Sequence, residues 1–572
     1  MSRYRLTDIE HALSAVSRAA DLAANHLRRT DDSLDRLIPD LSLEGARGRT
    51  LMGKRVLELL DTVDDERLPH DWALTSKLLR HYAESWSLEE EHYWLAIDPT
   101  GSMFYAPFAQ TPYALGYLMG SVNSLLSAYE FNDDGDVDRY LVLLTDITRM
   151  LRQIRERTNG QAQRGIRMHK PQLPAARAML GQLKATALST YPVAVSRLTG
   201  ISEADAVSAE IRRRVVRLVA DGFVPLIDQL DADYESQAPD GVGMNELPGG
   251  EKTYAWLLKL HTTRDLTAEE VHTAGRARMA RIEAEMADVR RELGFNGSPV
   301  EFALHLGQHP RARAASADDI GERMRRHRDR VESRFDEFFH RRPSAGYDVA
   351  RLAPALEDSM TWGYYEPPTR AEKRGIYHYN GGKMDSLSVI AAASLVFHEL
   401  LPGHHLHLTL QTDSKTLPPL RRNASVNAFN EAWAEYAATL AGEMGLYDDP
   451  YDRYGRLCMD AFLTSRLVVD TGMNALGWTW AEAKDYLREH TLCAKAEIES
   501  DTLRYSCGIP AQSLAYKLGD EAVLRMRDGV RERMGSRFDE RDFHAAILDV
   551  GALPLPALEW HLERVFTGDG SS

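Results

Sequence analysis

Apolar positions in this chain recur three and four residues apart, the period of helices that bury one face. Residues 8–29 place Ile9, Leu13, Val16, Ala20 and Leu22 on one side, with Arg and Asp opposite. Residues 268–293 repeat the pattern among dense charges, and Thr267 with Glu270 three positions on supplies a capping box for that helix. A further helix is predicted from near Ala317 to the His340-Arg341-Arg342-Pro343 run, and another over 427–447. Sustained alternation of the strand type is absent and no internal repeat stands out, so the expected fold class is mostly α.

Two stretches interrupt the helical pattern. Residues 238–250, APDGVGMNELPGG, read either as a linker or as a loop lying over a cleft. They divide the chain into an N-terminal helical half, 1–240, and a C-terminal helical half, 241–572. Residues 361–384 mix prolines, glycines and tyrosines, the most strand-like and loop-like part of the chain. They are expected to form one wall of a site, because the most informative helix follows directly.

Composition narrows the class. The 572 residues are 44% hydrophobic and 27% charged, which excludes a disordered chain. A formal charge of −16 repels polyphosphate, so nucleic acid is not an expected partner. Three cysteines cannot make a disulfide framework and point to a reducing compartment, expected to be the cytoplasm. The first thirty residues scatter Arg, Asp and Glu, unlike a signal peptide. The uncharged stretch Pro99 to Tyr129 carries prolines, Gln110 and Asn123, unlike a membrane span. No membrane partner is expected, and the sequence leaves the oligomeric state open.

The candidate chemistry lies in residues 394–411, SLVFHELLPGHHLHLTLQ, where His398-Glu399 ends a long uncharged run. A His-Glu pair buried on an apolar helix is costly unless both side chains are satisfied. A divalent ion does this in the HExxH helix, where two His one turn apart hold zinc and the Glu acts as base. Here the position four after His398 is Pro402, so the second ligand lies elsewhere. A helix bulged by Pro402-Gly403 would return His404 to the face of His398; His405 is the rival if the helix stays regular. The third ligand is expected from residues 427–447, where Glu431 and Glu435 stand one turn apart on an Ala- and aromatic-rich helix. Glu431 is the expected ligand, with Glu435 supporting it and Trp433 and Tyr436 shaping the site.

The segment HELLPGHHLHL resembles the HExxPGHHLQ signature of the DUF885 family, described as metal-dependent carboxypeptidase-like or M32-like proteins. NEAWAEYAATLAGEMGLY resembles that family's EGWALYAE…EMGLY segment. Residues 247–272, 466–479, 504–519 and 538–555 resemble further family blocks in order. The resemblance implies a helical, gluzincin-like zinc-hydrolase fold with a deep cleft between its two halves. It implies one zinc ion, or another divalent metal, held by His398, His404 and Glu431, with Glu399 as base. Three positions depart from the family pattern: His407 stands for Gln, Ala432 for Gly, and Ala511 for the Gly of Pro-Gly-Gln.

The expected function is zinc-dependent hydrolysis of a peptide or amide bond, in the manner of a carboxypeptidase or dipeptidase. A small molecule or short peptide is the expected substrate. The alternative is a metal-dependent tailoring enzyme that cleaves a small specialised metabolite, motivated by the three departures. A scaffold with a purely structural metal is the weakest reading, because three ligands leave a position open. Tyr505 and Arg504 are the first candidates for stabilising an oxyanion, and Arg504 could instead clamp a substrate carboxylate. Tyr516 and Lys517 are candidates that could equally cap and pack their helix. Gln512, Tyr379, Asn380 and His378 are expected to line the cleft, and Cys507 to be a small core residue.

Overall fold

Thr267 and Glu270 close the expected capping box: Thr267 N donates to Glu270 Oε2 at 2.8 Å, and Glu270 N to Thr267 Oγ1 at 3.2 Å. The helix they start runs Ala268–Glu292. In this computed structural model, residues 3–27, 37–101, 103–357, 362–369, 372–382, 384 and 387–566 are described. They are mostly helical.

The helices that matter below are α1 (Arg3–Leu27), α2 (Leu43–Leu60), α3 (His70–Ser87), α4 (Ala268–Glu292), α5 (Ala317–Glu332), α6 (Ala392–Glu399), α7 (His404–Asp413), α8 (Asn427–Glu443), α9 (Pro450–Ala475), α10 (Lys495–Leu503) and α11 (Ala515–Met534). One core takes buried residues from 15–86 and from 279–562, so α1–α3 pack with the C-terminal helices. A second core is drawn mainly from residues 38–271, joined by Leu467, Ala511, Leu514 and Leu518.

The irregular stretch holds strands, as its composition suggested. β1 (Tyr347–Arg351), β2 (Gly363–Glu366) and β3 (Gly375–Tyr379) form a sheet in the order β1-β3-β2. β1 runs parallel to β3 and β2 antiparallel to it, with Val349 and Tyr365 both in register with Tyr377. Alternation puts Tyr377 and Tyr379 on one face and His378 on the other.

The glycine-rich stretch 238–250 is packed as a loop against α9. Met244 N donates to Asn474 Oδ1 at 2.9 Å, and a Cβ at Gly243 would sit 2.1 Å from the Met473 carbonyl. Its glycine is thus required by close backbone approach. Helices α8 and α11 also approach closely: a Cβ at Gly519 would lie 2.5 Å from that of Ala432. This small-against-small contact brings Glu431 and Glu435 on α8 beside Tyr516 and Lys517 on α11.

Candidate metal centre

The sequence predicts a bulged helix through Pro402-Gly403; the structure has a break. α6 ends at Glu399 and α7 starts at His404. Proline has no N–H to continue the ladder, and the Leu401–Pro402 peptide is cis. Gly403 lies so close to the end of α6 that a Cβ there would sit 1.8 Å from the His398 carbonyl oxygen. Trp433 on α8 fixes the reversal by donating its Nε1 hydrogen to the Pro402 carbonyl at 2.9 Å.

The reversal turns His404 back onto His398, with ring centroids 4.8 Å apart and planes nearly perpendicular. Glu431 completes the group. Its Oε2 lies 3.6 Å from His398 Nε2 and 3.5 Å from His404 Nε2. One ligand atom from each of the three lies within 4.8 Å of the others. Among the described residues, Glu431 Oε2 is buried and accepts no hydrogen bond. The Nδ1 atoms of both histidines point elsewhere, which leaves both Nε2 atoms facing the carboxylate. Two imidazole nitrogens and an orphaned carboxylate oxygen converging in this way fit a divalent cation such as zinc, whose preferred donors these are.

Each putting-in-place contact has a visible cause. His398 Nδ1 donates to Glu435 Oε1 at 2.9 Å. Glu435 Oε2 in turn accepts from Lys517 Nζ at 3.0 Å and from Arg456 at 3.1 and 3.2 Å. Burial would raise the Glu435 pKa, but Arg456 and Lys517 hold it well below the ordinary range. Lys517 also pairs with Asp460 at 2.8 Å and Asp520 at 2.7 Å, and Arg278 reaches both at 3.2 Å. Three cations therefore meet three carboxylates, which offsets the cost of burying them.

His404 Nδ1 lies 3.1 Å from His407 Nε2. For His404 to present its Nε2 lone pair to a cation, Nδ1 must carry the hydrogen and donate it to His407. Burial, then the nearby His404 and His398, keep His407 far below its usual pKa and neutral, as an acceptor must be. In the sequence His407 stands out only as a departure from the family pattern; its position one turn along from His404 is the signal that points to this role.

Glu399 closes α6 beside this cluster and, among the described residues, has no hydrogen bond or ion pair. Burial, with Glu431 and Glu435, pushes its pKa up against the pull of His398 and His404. Tyr365 and Tyr377 lie in its field, and the Tyr377 hydroxyl is buried without a partner. The sheet does therefore wall this side, through Tyr365 and Tyr377.

Other expected residues lie elsewhere. His405 is turned away: Nδ1 accepts from the Tyr365 hydroxyl at 2.8 Å and Nε2 donates to the Ala345 carbonyl at 3.0 Å. Both nitrogens are taken, so it is no rival to His404. Tyr379 packs on Gly321 of α5, Asn380 donates to the Glu357 carbonyl at 2.7 Å, and His378 faces Glu366 on the other side of the sheet. None of these three lines the cluster: the pleat turns His378 to the opposite face, Tyr379 shares the face of Tyr377 but is buried against α5, and Asn380 is tied into the turn after β3.

Tyr505 is fully buried and its hydroxyl accepts from Arg466 Nε at 2.8 Å. The tyrosine beside the cluster is Tyr516, whose ring is nearly parallel to that of His398 at 6.1 Å and which helps keep Glu431 charged. Gln512 accepts from Arg504 at 2.8 Å and donates to Asn427 Oδ1 at 3.1 Å, tying the segment before α11 to the start of α8. Cys507 is a buried thiol 3.2 Å from His169 Nδ1.

Fold and site together define a mostly helical protein with a buried His-His-Glu cluster and an adjacent free glutamate. The chain belongs to the DUF885 family of bacterial proteins of unknown function, whose model matches residues 22–562. A search of curated proteins returned no match. A solved structure from Colwellia psychrerythraea, described as a candidate lipoprotein, is similar with a TM-score of 0.79 and 22% identity over 98% of this chain and 99% of that one. A second, from Shewanella oneidensis and described as a candidate lipoprotein of unknown function, gives 0.70 and 15% over 96% and 98%. Among the described residues, no helix is long and apolar enough to cross a membrane.

Proposed function

We propose that this protein is a zinc-dependent hydrolase of peptide or amide bonds, built on a gluzincin-like helical fold with the ligand cluster in a cleft between its halves. The observation that carries the reading is the buried, hydrogen-bond-free Glu431 Oε2 facing two open imidazole nitrogens, with Glu399 unpaired beside them. His398, His404 and Glu431 would hold the ion. Bound there, zinc supplies Lewis acidity that polarises an acyl oxygen and makes water easier to deprotonate.

The protein's own groups do the rest. Glu399 takes the proton of a water aimed at the acyl carbon and passes it to the leaving nitrogen. Its raised pKa suits both duties. Glu435, held ionised by Lys517 and Arg456, keeps His398 in the tautomer with Nε2 open, and His407 does the same for His404. Tyr516, at the edge of the cluster, can donate to oxygen that gains charge.

The metabolite-tailoring alternative rested on three departures from the family pattern. His407 is accounted for by His404, and Ala432 by its contact with Gly519. Ala511 adopts φ 65° and donates its N–H to Asp470, away from the ligands. None of the three reshapes the wall around Glu399, so hydrolysis of an amide is the better supported reading. The candidate-lipoprotein descriptions of the two solved neighbours set an envelope location against the cytoplasmic one favoured by three free cysteines; cell fractionation decides between them.

The test is metal analysis with a dipeptide screen. The wild-type protein is expected to hold about one zinc per chain, and Glu399→Gln to keep it while losing roughly 10²–10⁴-fold in turnover. A metal-loaded, fully active Glu399→Gln protein would refute the mechanism. A zinc-replete wild type that turns over no peptide or amide would favour the metabolite reading.

A further inference from the structure

Among the described residues, nearly every buried cation around this site has a carboxylate partner; two arginines, the buried Arg466 and the half-buried Arg504, do not. Arg466 on α9 is 4% exposed, and its only hydrogen bond to the described protein runs from Nε to the Tyr505 hydroxyl. Its guanidinium is caged by the rings of Phe462, Tyr505 and Tyr516, at 4.6, 5.3 and 4.9 Å. Arg504, directly after α10, gives one hydrogen to Gln512 and lies 5.6 Å over the Tyr113 ring. Among the described residues, its Nε is buried without an acceptor.

Among the described residues neither arginine has a carboxylate within ion-pair reach, whereas Arg278, Arg456 and Lys517 nearby are each neutralised. Burying a cation without its counter-ion is expensive. The aromatic cage stabilises the flat face of Arg466, yet it offers nothing to the guanidinium edges, whose fork matches an oxyanion in a bidentate way. Tyr516 joins this pair to the ligand cluster, since its ring meets both Arg466 and His398.

We propose that Arg466 and Arg504 form a receptor for a free carboxylate of the substrate, one aromatic ring away from the His398–His404–Glu431 cluster. Geometry selects the anion. The planar fork of a guanidinium pairs two N–H groups with the two oxygens of a carboxylate. The proposal deepens the hydrolase reading and rests on it for the meaning of the site. The substrate becomes an acyl compound whose scissile amide lies close to a free acid, as in an N-acyl amino acid or the C-terminal end of a short peptide.

The experiment is calorimetric titration with N-acetylphenylalanine and with its uncharged carboxamide, on zinc-loaded and on chelator-treated protein. The acid is expected to bind at least about 10-fold more tightly than the carboxamide in both forms. Arg466→Gln and Arg504→Gln are expected to erase that preference while zinc content and circular dichroism stay those of the wild type, and Arg466→Lys to restore part of it. Should Arg466→Gln not fold, the half-buried Arg504 carries the test alone. Equal binding of acid and carboxamide, no binding of the acid to either form, or undiminished acid binding by the folded glutamine variants would overturn the receptor. Tighter binding of phenyl phosphate than of the acid would overturn the choice of carboxylate. A wild type that binds no zinc refutes the hydrolase reading, while arginine-dependent acid binding by the same metal-free protein still upholds the receptor.

Discussion

Glu435 has one oxygen on His398 and the other on Lys517 and Arg456. Glu435→Gln keeps the size but weakens the grip on the His398 tautomer, so zinc affinity should fall roughly 10–100-fold in a competitive chelator titration. An unchanged affinity would show that Glu435 only balances charge. Lys517→Met leaves Glu435, Asp460 and Asp520 without their shared cation, and should cost about 3–5 kcal/mol in urea unfolding; a loss below 1 kcal/mol would contradict the network. At this scale the sequence was most legible where residue type carries the chemistry. The His-Glu pair at the end of an apolar run and a carboxylate on an apolar helix marked His398, Glu399 and Glu431. The choice between His404 and His405 was open, because only the fold brings Tyr365 and the Ala345 carbonyl onto His405. Arg466 was invisible for the same reason: nothing along the chain says that a buried arginine lacks a counter-ion.

Between α6 and α7 the decisive feature is a reversal with no room for a side chain. Gly403→Ala would drive a methyl into the His398 carbonyl, and the listeners to that strain are both histidines at once. Purified Gly403→Ala is expected to melt several degrees lower and to lose bound zinc; retention of both would mean that the break can reopen at little cost. Proline signalled an interruption here, and the sequence reading supplied a bulge where the chain in fact stops and restarts. Periodicity cannot separate the two, since both put His404 near His398. Helix starts were clearer. The capping box at Thr267 set the beginning of α4, because its partners are local, while the expected helix over 427–447 stops at Glu443 and leaves a turn. The sheet was legible only as irregularity: β1 pairs with β3 across more than twenty residues, and no local pattern reports such a partner.

Over the whole molecule, burial makes histidine the acid-sensitive residue. Burial lowers His81, His169, His327, His544 and His561 to about 4 and His261 to about 3. Each is neutral when folded and takes a proton near 6.5 when unfolded. Their contribution to stability is therefore complete above about pH 6.5 and lost as pH falls toward 4, by up to about 1.4 kcal/mol per pH unit for each histidine. Urea midpoints should drop steeply between pH 7 and pH 5, and a flat profile would contradict the burial of these side chains. The mostly helical class was readable from period alone. That α1–α3 share a core with residues beyond 279 was not, since amphipathic faces do not name their partners. The backbone contact at Gly403 has a consequence for how such a molecule can diversify. The placement of His398, His404 and Glu431 is set by main chain and by a locked set of charges, so the aromatic and arginine neighbours can be exchanged while that placement stays unchanged.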